Sequence, residues 1–291
     1  MSTIGFVGLG LMGQGFTRRL IETGHTVHGF DIDSSQIELA AKHGVKPATS
    51  AAAVAEACDI IQVCVINTAA VEDATIGPKG VAAVANISGK VVVDHSTTEL
   101  ASTMKIAETL AKRGASFVDA PISGGPDAAR AGTLAIMAGG ADDAIARIAP
   151  VMQHLGKMTH MGASGTGQAT KLVNQTLVLT NYCVIAEALR LAEAHGVDAR
   201  KIPDALGAGF AGSNLLPVAL PRMIDNDFAP RGYARQVLKD LEMLNDAAHV
   251  HHLAMPMAAQ ALTLYRLLVA GGHSELDAGA VVTLYPKVGP K

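Results

Sequence analysis

The chain has no tryptophan, and four tyrosines with six phenylalanines bring its aromatics to only 3% of 291 residues. Its interior must therefore be filled by Ala, Val, Leu, Ile and Met, and a hydrophobic content of 49% supplies them. Cysteine is scarce. Cys58, Cys64 and Cys183 form neither a CxxC pair nor an even disulfide framework, which argues against a disulfide-stapled scaffold and for a reducing, cytoplasmic setting. The same scarcity argues against zinc-dependent alcohol dehydrogenase chemistry, because thiolate ligands at useful spacing are missing, and no metal site is expected. A formal charge of -3 without a basic cluster offers nothing to a phosphate backbone, so no nucleic-acid partner is expected. No run of about 18 uninterrupted apolar residues occurs, so no membrane-spanning segment is expected either. The opening MSTIGFVG has no basic region followed by a long apolar run, and reads as a first strand rather than a signal peptide.

What is present divides into two patterns. Up to about residue 160, short β-rich runs alternate with helical periodicity. Strands are expected at Thr3 to Val7, Thr26 to Phe30, Ile60 to Val65, Val91 to Asp94 and Ser116 to Asp119. Helices are expected at Met12 to Thr23, Ser35 to His43 and Leu100 to Arg113. Such alternation implies βαβ units and a mostly parallel sheet with helices on both faces. From Gln168 to His195 neither Gly nor Pro interrupts a helical pattern that is apolar on several sides, including Leu172, Val173, Leu177, Val184 and Leu191. A helix of that kind is buried within an assembly. After Gly196 the pattern stays helical.

Gly8-Leu9-Gly10-Leu11-Met12-Gly13 follows directly on the first strand and opens a helix. Gly8 permits a tight turn, Gly10 lets the backbone approach a pyrophosphate, and Gly13 lets the helix pack on the strand. Alone the motif is weak, but between strand and helix at the head of a βαβ pattern it is strong. Asp31 ends the second strand, 18 positions after Gly13, where a carboxylate can accept from both hydroxyls of an adenosine ribose. It would repel a 2′-phosphate, and Ile32-Asp33-Ser34 offers no arginine to welcome one, which favours NAD over NADP. A plain strand-ending Asp that caps the next turn is the duller reading. Two later loops should face the nicotinamide half: Val65-Ile66-Asn67-Thr68, and Asp94 to Thr98. Asn67 and Thr97 can bond ribose or carboxamide, or cap a helix, and capping is the favoured reading for Thr98. The expected fold is α/β: an N-terminal Rossmann-type domain, 1–163, followed by an all-α C-terminal domain, 164–291, that includes a long joining helix, 166–195.

Three further motifs carry chemistry. In Asp119-Ala-Pro-Ile-Ser123-Gly124-Gly125, a serine before two glycines presents a hydroxyl and backbone N–H groups, a cradle for a carboxylate. In Gly165-Thr-Gly-Gln-Ala-Thr-Lys171, a lysine stands on the first turns of the long apolar helix, with Asn174 on nearly the same face. Burial disfavours a lysine's charged form, so a neutral amine there could take a hydroxyl proton as hydride leaves and return it in reduction. The third motif, Leu238-Lys239-Asp240-Leu241, means little by itself.

In this order, over essentially the whole chain, these motifs resemble the β-hydroxyacid dehydrogenase family of 3-hydroxyisobutyrate dehydrogenases and tartronate semialdehyde reductases. The resemblance implies an NAD-dependent oxidoreductase interconverting a small β-hydroxy carboxylate and its aldehyde, or a semialdehyde reductase working mainly in reduction. It makes Lys171 the general acid/base, gives the carboxylate to Ser123 and Gly124, lets Asn174 orient the reacting end and puts Lys239 near nicotinamide and substrate. It also implies a homodimer or homotetramer in which long helices pack together. Three positions depart from many members: Gln175 replaces an Asn, as in some semialdehyde reductases, Ile66 a Pro, and Arg235 an Asp. Arg235 could meet a second anionic group or be a surface arginine. Phe210, Ser213 and Asn214 fall where the family lines the substrate's variable end.

Competing functions are set aside on particular features. Imine-reducing relatives usually replace the lysine, a non-catalytic binding relative would lose it, and a decarboxylating sugar-phosphate dehydrogenase would carry a longer C-terminal half and clustered arginines. His249, His251 and His252 read as a polar helix face, and His95 as a loop stabiliser.

Overall fold

The computed structural model describes residues 2–287. β1 (Thr3–Val7) feeds α1 (Leu11–Glu22). Then follow β2 (Thr26–Phe30), α2 (Ser34–Ala41), β3 (Lys46–Pro47), α3 (Ala51–Ala57), β4 (Ile60–Val63), α4 (Thr68–Ile76), β5 (Val91–Asp94), α5 (Leu100–Ala111) and β6 (Ser116–Asp119). These six strands pair in parallel in the order β3-β2-β1-β4-β5-β6, as expected of a Rossmann-type sheet. Strand order reverses between β1 and β4, and the crevice beyond their carboxyl ends is where such a sheet takes its ligand. Helices on both faces bury β5 completely, which is why Val91, Val92 and Val93 form an unbroken apolar run.

Beyond β6 the sheet continues in a way the sequence pattern does not predict. β7 (Ile122–Ser123), α6 (Gly125–Ala131), β8 (Leu134–Gly139), α7 (Asp142–Met152) and β9 (Gly156–Gly162) complete it. β8 runs antiparallel to β6 and β7 and parallel to β9. β9 reads Gly-Lys-Met-Thr-His-Met-Gly, and its exposed face leaves no alternation to detect. Element ends also shift. The strand expected to reach Val65 stops at Val63, because the Val65 N–H goes to the Ser96 hydroxyl at 2.9 Å and not to a neighbouring strand. The second helix ends at Ala41, before the turn that brings Gly44 to φ +106°.

α8 (Thr166–Ala194) is the long helix, and contacts divide the chain at Lys171 and Leu172. The second unit holds most of α8 with α9 (Ile202–Leu206), α10 (Leu216–Asp225), α11 (Ala234–Val250) and α12 (Pro256–Ala270). Its core gathers Leu179, Ile185, Leu189, Leu220, Leu241 and Tyr265. Tyr265 is wholly buried, and its hydroxyl donates to Ala278 O at 2.9 Å, as a buried phenol must. Buried Asp277 accepts from the Arg231 and Gly279 backbones and pairs with Arg222 at 3.2 Å. The opposite side of α8 exposes Val173, Leu177, Val184 and Leu191 as one stripe. By length and composition α8 could cross a bilayer, but Lys171, Gln175, Glu187, Arg190 and Glu193 interrupt it and its inner face fills this core.

Candidate active site

The glycine loop has the shape the motif requires. Gly8 sits at φ +96°, and a Cβ on it would lie 2.2 Å from Cys64 O, so no other residue fits. A Cβ on Gly13 would lie 2.1 Å from Gly8 O, which explains the close seat of α1 on its strand. Gly10 has nothing within 4 Å of its Cβ position. It precedes α1 without a side-chain cap, leaving the first helical N–H groups and the positive end of the dipole directed outward. Leu11 is exposed there and Met12 half-buried. Asp31 is tied to this loop, since one carboxylate oxygen accepts from Leu9 N at 2.6 Å and the other from Asp33 N at 2.9 Å. A carboxylate has about four lone-pair directions, so two remain for hydroxyls. An open glycine cradle beside an acid thus fits a dinucleotide.

The next two loops differ from each other. Ile66 is exposed, and Asn67 caps α4 by accepting from Ala70 N at 2.8 Å. The loop after β5 is pinned by buried Asp94, which accepts from Ser96 N at 2.9 Å and from the Thr98 hydroxyl at 2.6 Å. Thr98 therefore does not cap α5, whose first-turn N–H groups follow Glu99 with no side-chain bond. Thr97 stands between these anchors, half-buried. Burial raises the Asp94 carboxyl to about 6 despite the Thr98 and Ser96 bonds. His95 lies beneath the loop, with Nδ1 2.8 Å from Ala120 O, Nε2 3.0 Å from the Gln62 side-chain amide, and its ring stacked on Phe16. Burial lowers its pKa to about 4, so the ring is neutral and braces the loop.

The lysine is held by the segment that carries the serine. Lys171 is 9% exposed, and its Nζ donates to Ile122 O at 2.7 Å, one residue before Ser123. Gly124 at φ +133° and Gly125 at φ +74° turn the chain into α6, and the Cβ position of Gly125 faces open space. Asp119, at the end of β6, accepts from Gly165 N at 2.8 Å and Gln168 N at 2.9 Å, so it caps α8 from another strand. Cys64 lies near the lysine, and burial pushes its thiol up to about 12, with Asp94 acting in the same direction and Lys171 opposing.

In the helical unit a second set of candidates forms one chain of bonds. The Asn174 amide donates to Gln175 Oε1 at 2.8 Å, and the Gln175 amide donates to Asp240. Asp240 also pairs with Lys239 at 3.0 Å. Arg235 engages Glu275 at 2.8 Å and lies 4.4 Å over the Tyr233 ring, which suits the plain surface reading of that arginine. Phe210 is fully exposed on a glycine-rich loop, Asn214 is exposed, and Ser213 accepts from Leu216 N at 3.1 Å. His249 and His252 meet edge to face, and among the described residues no group of three or more potential ligands could hold a metal. The sequence pattern did not single out Asp94, Asp119, Gln168 or Asp240 as site residues. The only signal was that each stands inside or beside a motif already noted.

Comparison with known proteins follows the same division. Residues 3–163 match the family described as the NAD binding domain of 6-phosphogluconate dehydrogenase. Residues 165–285 match the one described as NAD-binding of NADP-dependent 3-hydroxyisobutyrate dehydrogenase. The chain is 36% identical over 280 residues to a 2-hydroxy-3-oxopropionate reductase of Escherichia coli K12, covering 96% of this chain and 95% of that one. It is 33% identical to a 2-(hydroxymethyl)glutarate dehydrogenase of Eubacterium barkeri, covering 98% and 95%. A crystal structure of 3-hydroxyisobutyrate dehydrogenase from Salmonella typhimurium superposes with a TM-score of 0.89 at 27% identity, covering 98% and 100%.

The neutral His95 gives a pH prediction. Unfolded, the ring takes its proton near 6.5; folded, it does so only near 4. Stability from this group is complete above 6.5 and is lost as pH falls toward 4, on the order of 3 kcal/mol at about 1.4 kcal/mol per pH unit. Asp94, with a raised pKa, works the other way: folding gains as pH falls from about 6 toward 3.8. The difference between wild type and His95→Gln isolates the histidine. Denaturant unfolding between pH 7 and 4 should show the variant's stability falling less steeply, and parallel curves would contradict a neutral His95.

Proposed function

The chain belongs to the 3-hydroxyisobutyrate dehydrogenase family of NAD(P)-dependent β-hydroxyacid dehydrogenases, and from that premise we propose that it interconverts a small β-hydroxy carboxylate and its semialdehyde. The observation that carries this reading is the buried Lys171 amine on Ile122 O, next to the Ser123-Gly124-Gly125 cradle. When bound, the nicotinamide supplies the hydride acceptor. The chain's own residues do the rest: Lys171 Nζ receives the hydroxyl proton and returns it in reduction, and the N–H groups and hydroxyl of 123–125 hold the carboxylate. The family resemblance assigns to Asn174 the orientation of the reacting end and to Lys239 a cation near nicotinamide, and within the helical unit Gln175 bonds the first and Asp240 pairs with the second. The dinucleotide domain is 1–163 and the substrate and oligomerisation domain 164–291. Three cysteines without a disulfide support a reducing, cytoplasmic setting.

An assay at 340 nm crossing NAD and NADP with small 2- and 3-hydroxy acids, branched and dicarboxylic ones included, tests the reaction class. One acid should turn over with NAD, and Lys171→Ala should lower kcat at least about 100-fold while NAD still binds. A Lys171→Ala enzyme at the wild-type rate would refute the acid/base role. A specific observation favours a second reading, reduction of a semialdehyde as the main direction. Gln175 stands where some semialdehyde reductases carry it, and the reductase of E. coli is 36% identical.

Preference for NAD rests on Asp31, whose carboxylate is fixed at the glycine loop. Asp31→Ala should weaken NAD much more than NADP in equilibrium binding, and equal losses would dismiss the ribose contact.

We also propose a homodimer or homotetramer that buries the Val173-Leu177-Val184-Leu191 stripe of α8, since so long an apolar seam favours a protein partner over water. Leu177→Lys should shift the sedimentation coefficient toward that of the monomer. An unchanged assembly would rule this seam out as the interface.

A further inference from the structure

Lys171 is held at its tip by Ile122 O, but where that tip lies depends on how the first turn of α8 is seated. The seat is made by Gln168, which is 1% exposed and makes three bonds, one to the end of β6 and two to the loop after β5. Its backbone N–H donates to Asp119 Oδ2 at 2.9 Å. Its side-chain oxygen accepts from Thr98 N at 3.1 Å, and its side-chain nitrogen donates to Ser96 O at 2.8 Å. Ser96 and Thr98 are themselves fixed on buried Asp94, and the Ser96 hydroxyl accepts from Val65 N at 2.9 Å. A continuous set of bonds, all buried but for the partly buried first, thus runs from the loop after β4, through the loop after β5, to the helix that carries the lysine.

The packing leaves that seat no slack. A Cβ on Gly167 would lie 2.3 Å from Asp119 O and 2.5 Å from Met137 O, and one on Gly139 would lie 2.7 Å from Gly167 N. Asp119 binds only backbone N–H groups near the start of the helix, so it resists translation of α8 along its axis but little resists rotation about it. The Gln168 amide is planar and is bonded at both ends, one end to residue 98 and the other to residue 96, so it resists rotation. Rotation matters because a side chain reaches about 5–6 Å from the helix axis. Ten degrees would carry its tip about 1 Å, a misplacement that costs on the order of 100-fold in rate.

We propose that Gln168 is a positioning residue for proton transfer: by clamping α8 to the loop 94–98, it sets the Lys171 amine in register with the nicotinamide side of the site. This rests on the reading of Lys171 as acid/base, and the test separates the two. Gln168→Met keeps the side chain's length and removes both amide bonds.

The experiment is a double-mutant cycle with Lys171→Ala, reading kcat, KM and NADH binding by fluorescence. Gln168→Met alone should lower kcat about 10- to 100-fold, with KM and NADH affinity within about twofold. In the Lys171→Ala background the same change should cost less than about threefold, because the group it positions is gone. Equal losses in both backgrounds, or a wild-type kcat for Gln168→Met, would overturn the positioning role while leaving the lysine's role intact. A wild-type rate for Lys171→Ala alone would overturn the acid/base reading, and this one with it. Should Gln168→Met fail to fold, Gln168→Glu decides. Its carboxylate keeps the bond to Thr98 N but opposes Ser96 O, and only the protonated acid can donate there. The ratio of variant to wild-type kcat should therefore rise as pH falls, whereas a flat ratio would contradict the clamp.

Discussion

The carboxylate of Asp119 closes β6 and receives the N–H groups of Gly165 and Gln168, at the start of a 29-residue helix. Helix N-termini expose unpaired donors and a partial positive charge, and burying them without an acceptor costs several bonds at once. Here the acceptor comes from 46 and 49 residues upstream in sequence. It therefore joins the sheet to α8 and fixes both ends of the segment between them. Within that segment Ile122 O receives the lysine amine and Ser123 begins the glycine cradle. Burial pushes the Asp119 carboxyl upward, and the backbone bonds it receives pull the other way. Its worth lies in those donors, not in an ion pair.

The same economy governs the loop after β5. Asp94, His95, Ser96 and Thr98 are all buried, and each is bonded to a backbone or side-chain partner. A buried polar network of this kind is stable only when nearly every member is satisfied, and then it specifies one geometry. His95 contributes by staying neutral, and Asp94 by accepting two donors across its own turn. The loop meets the turn after β4 and the start of α8 as a rigid part, which suits a surface against which a nicotinamide must be oriented.

Much of the fold was legible because it is written in local pattern. Five of the six parallel strands up to Asp119, the helices α1, α2 and α5, the GLGLMG turn and the uninterrupted apolar helix follow from spacing alone, whereas the two-residue β3 and the short α3 and α4 gave too little periodicity to be singled out. The added strands β8 and β9 were not, because β8 is a plain apolar run and β9 shows no clean alternation. At the candidate site, the residues that would touch cofactor or substrate stood inside motifs. Those that hold them did not: Gln168 bonds to residues 70 and 72 positions away, and Gln175 to Asp240 across 65. No periodicity encodes such pairs. Thr98 shows the limit from the other side, since its hydroxyl chose a buried carboxylate over the helix cap that its position suggested.

If Lys171 Nζ exchanges the proton of a hydroxyl whose carboxylate is held by residues 123–125, a crystal structure of the unreactive pair, NADH together with the β-hydroxy acid that the 340 nm assay identifies, should show it. Nζ should lie about 2.6–3.2 Å from the substrate hydroxyl, with the carboxylate on the Gly124 and Gly125 N–H groups. A hydroxyl bonded to a different side chain, with Nζ still on Ile122 O and out of its reach, would contradict that exchange.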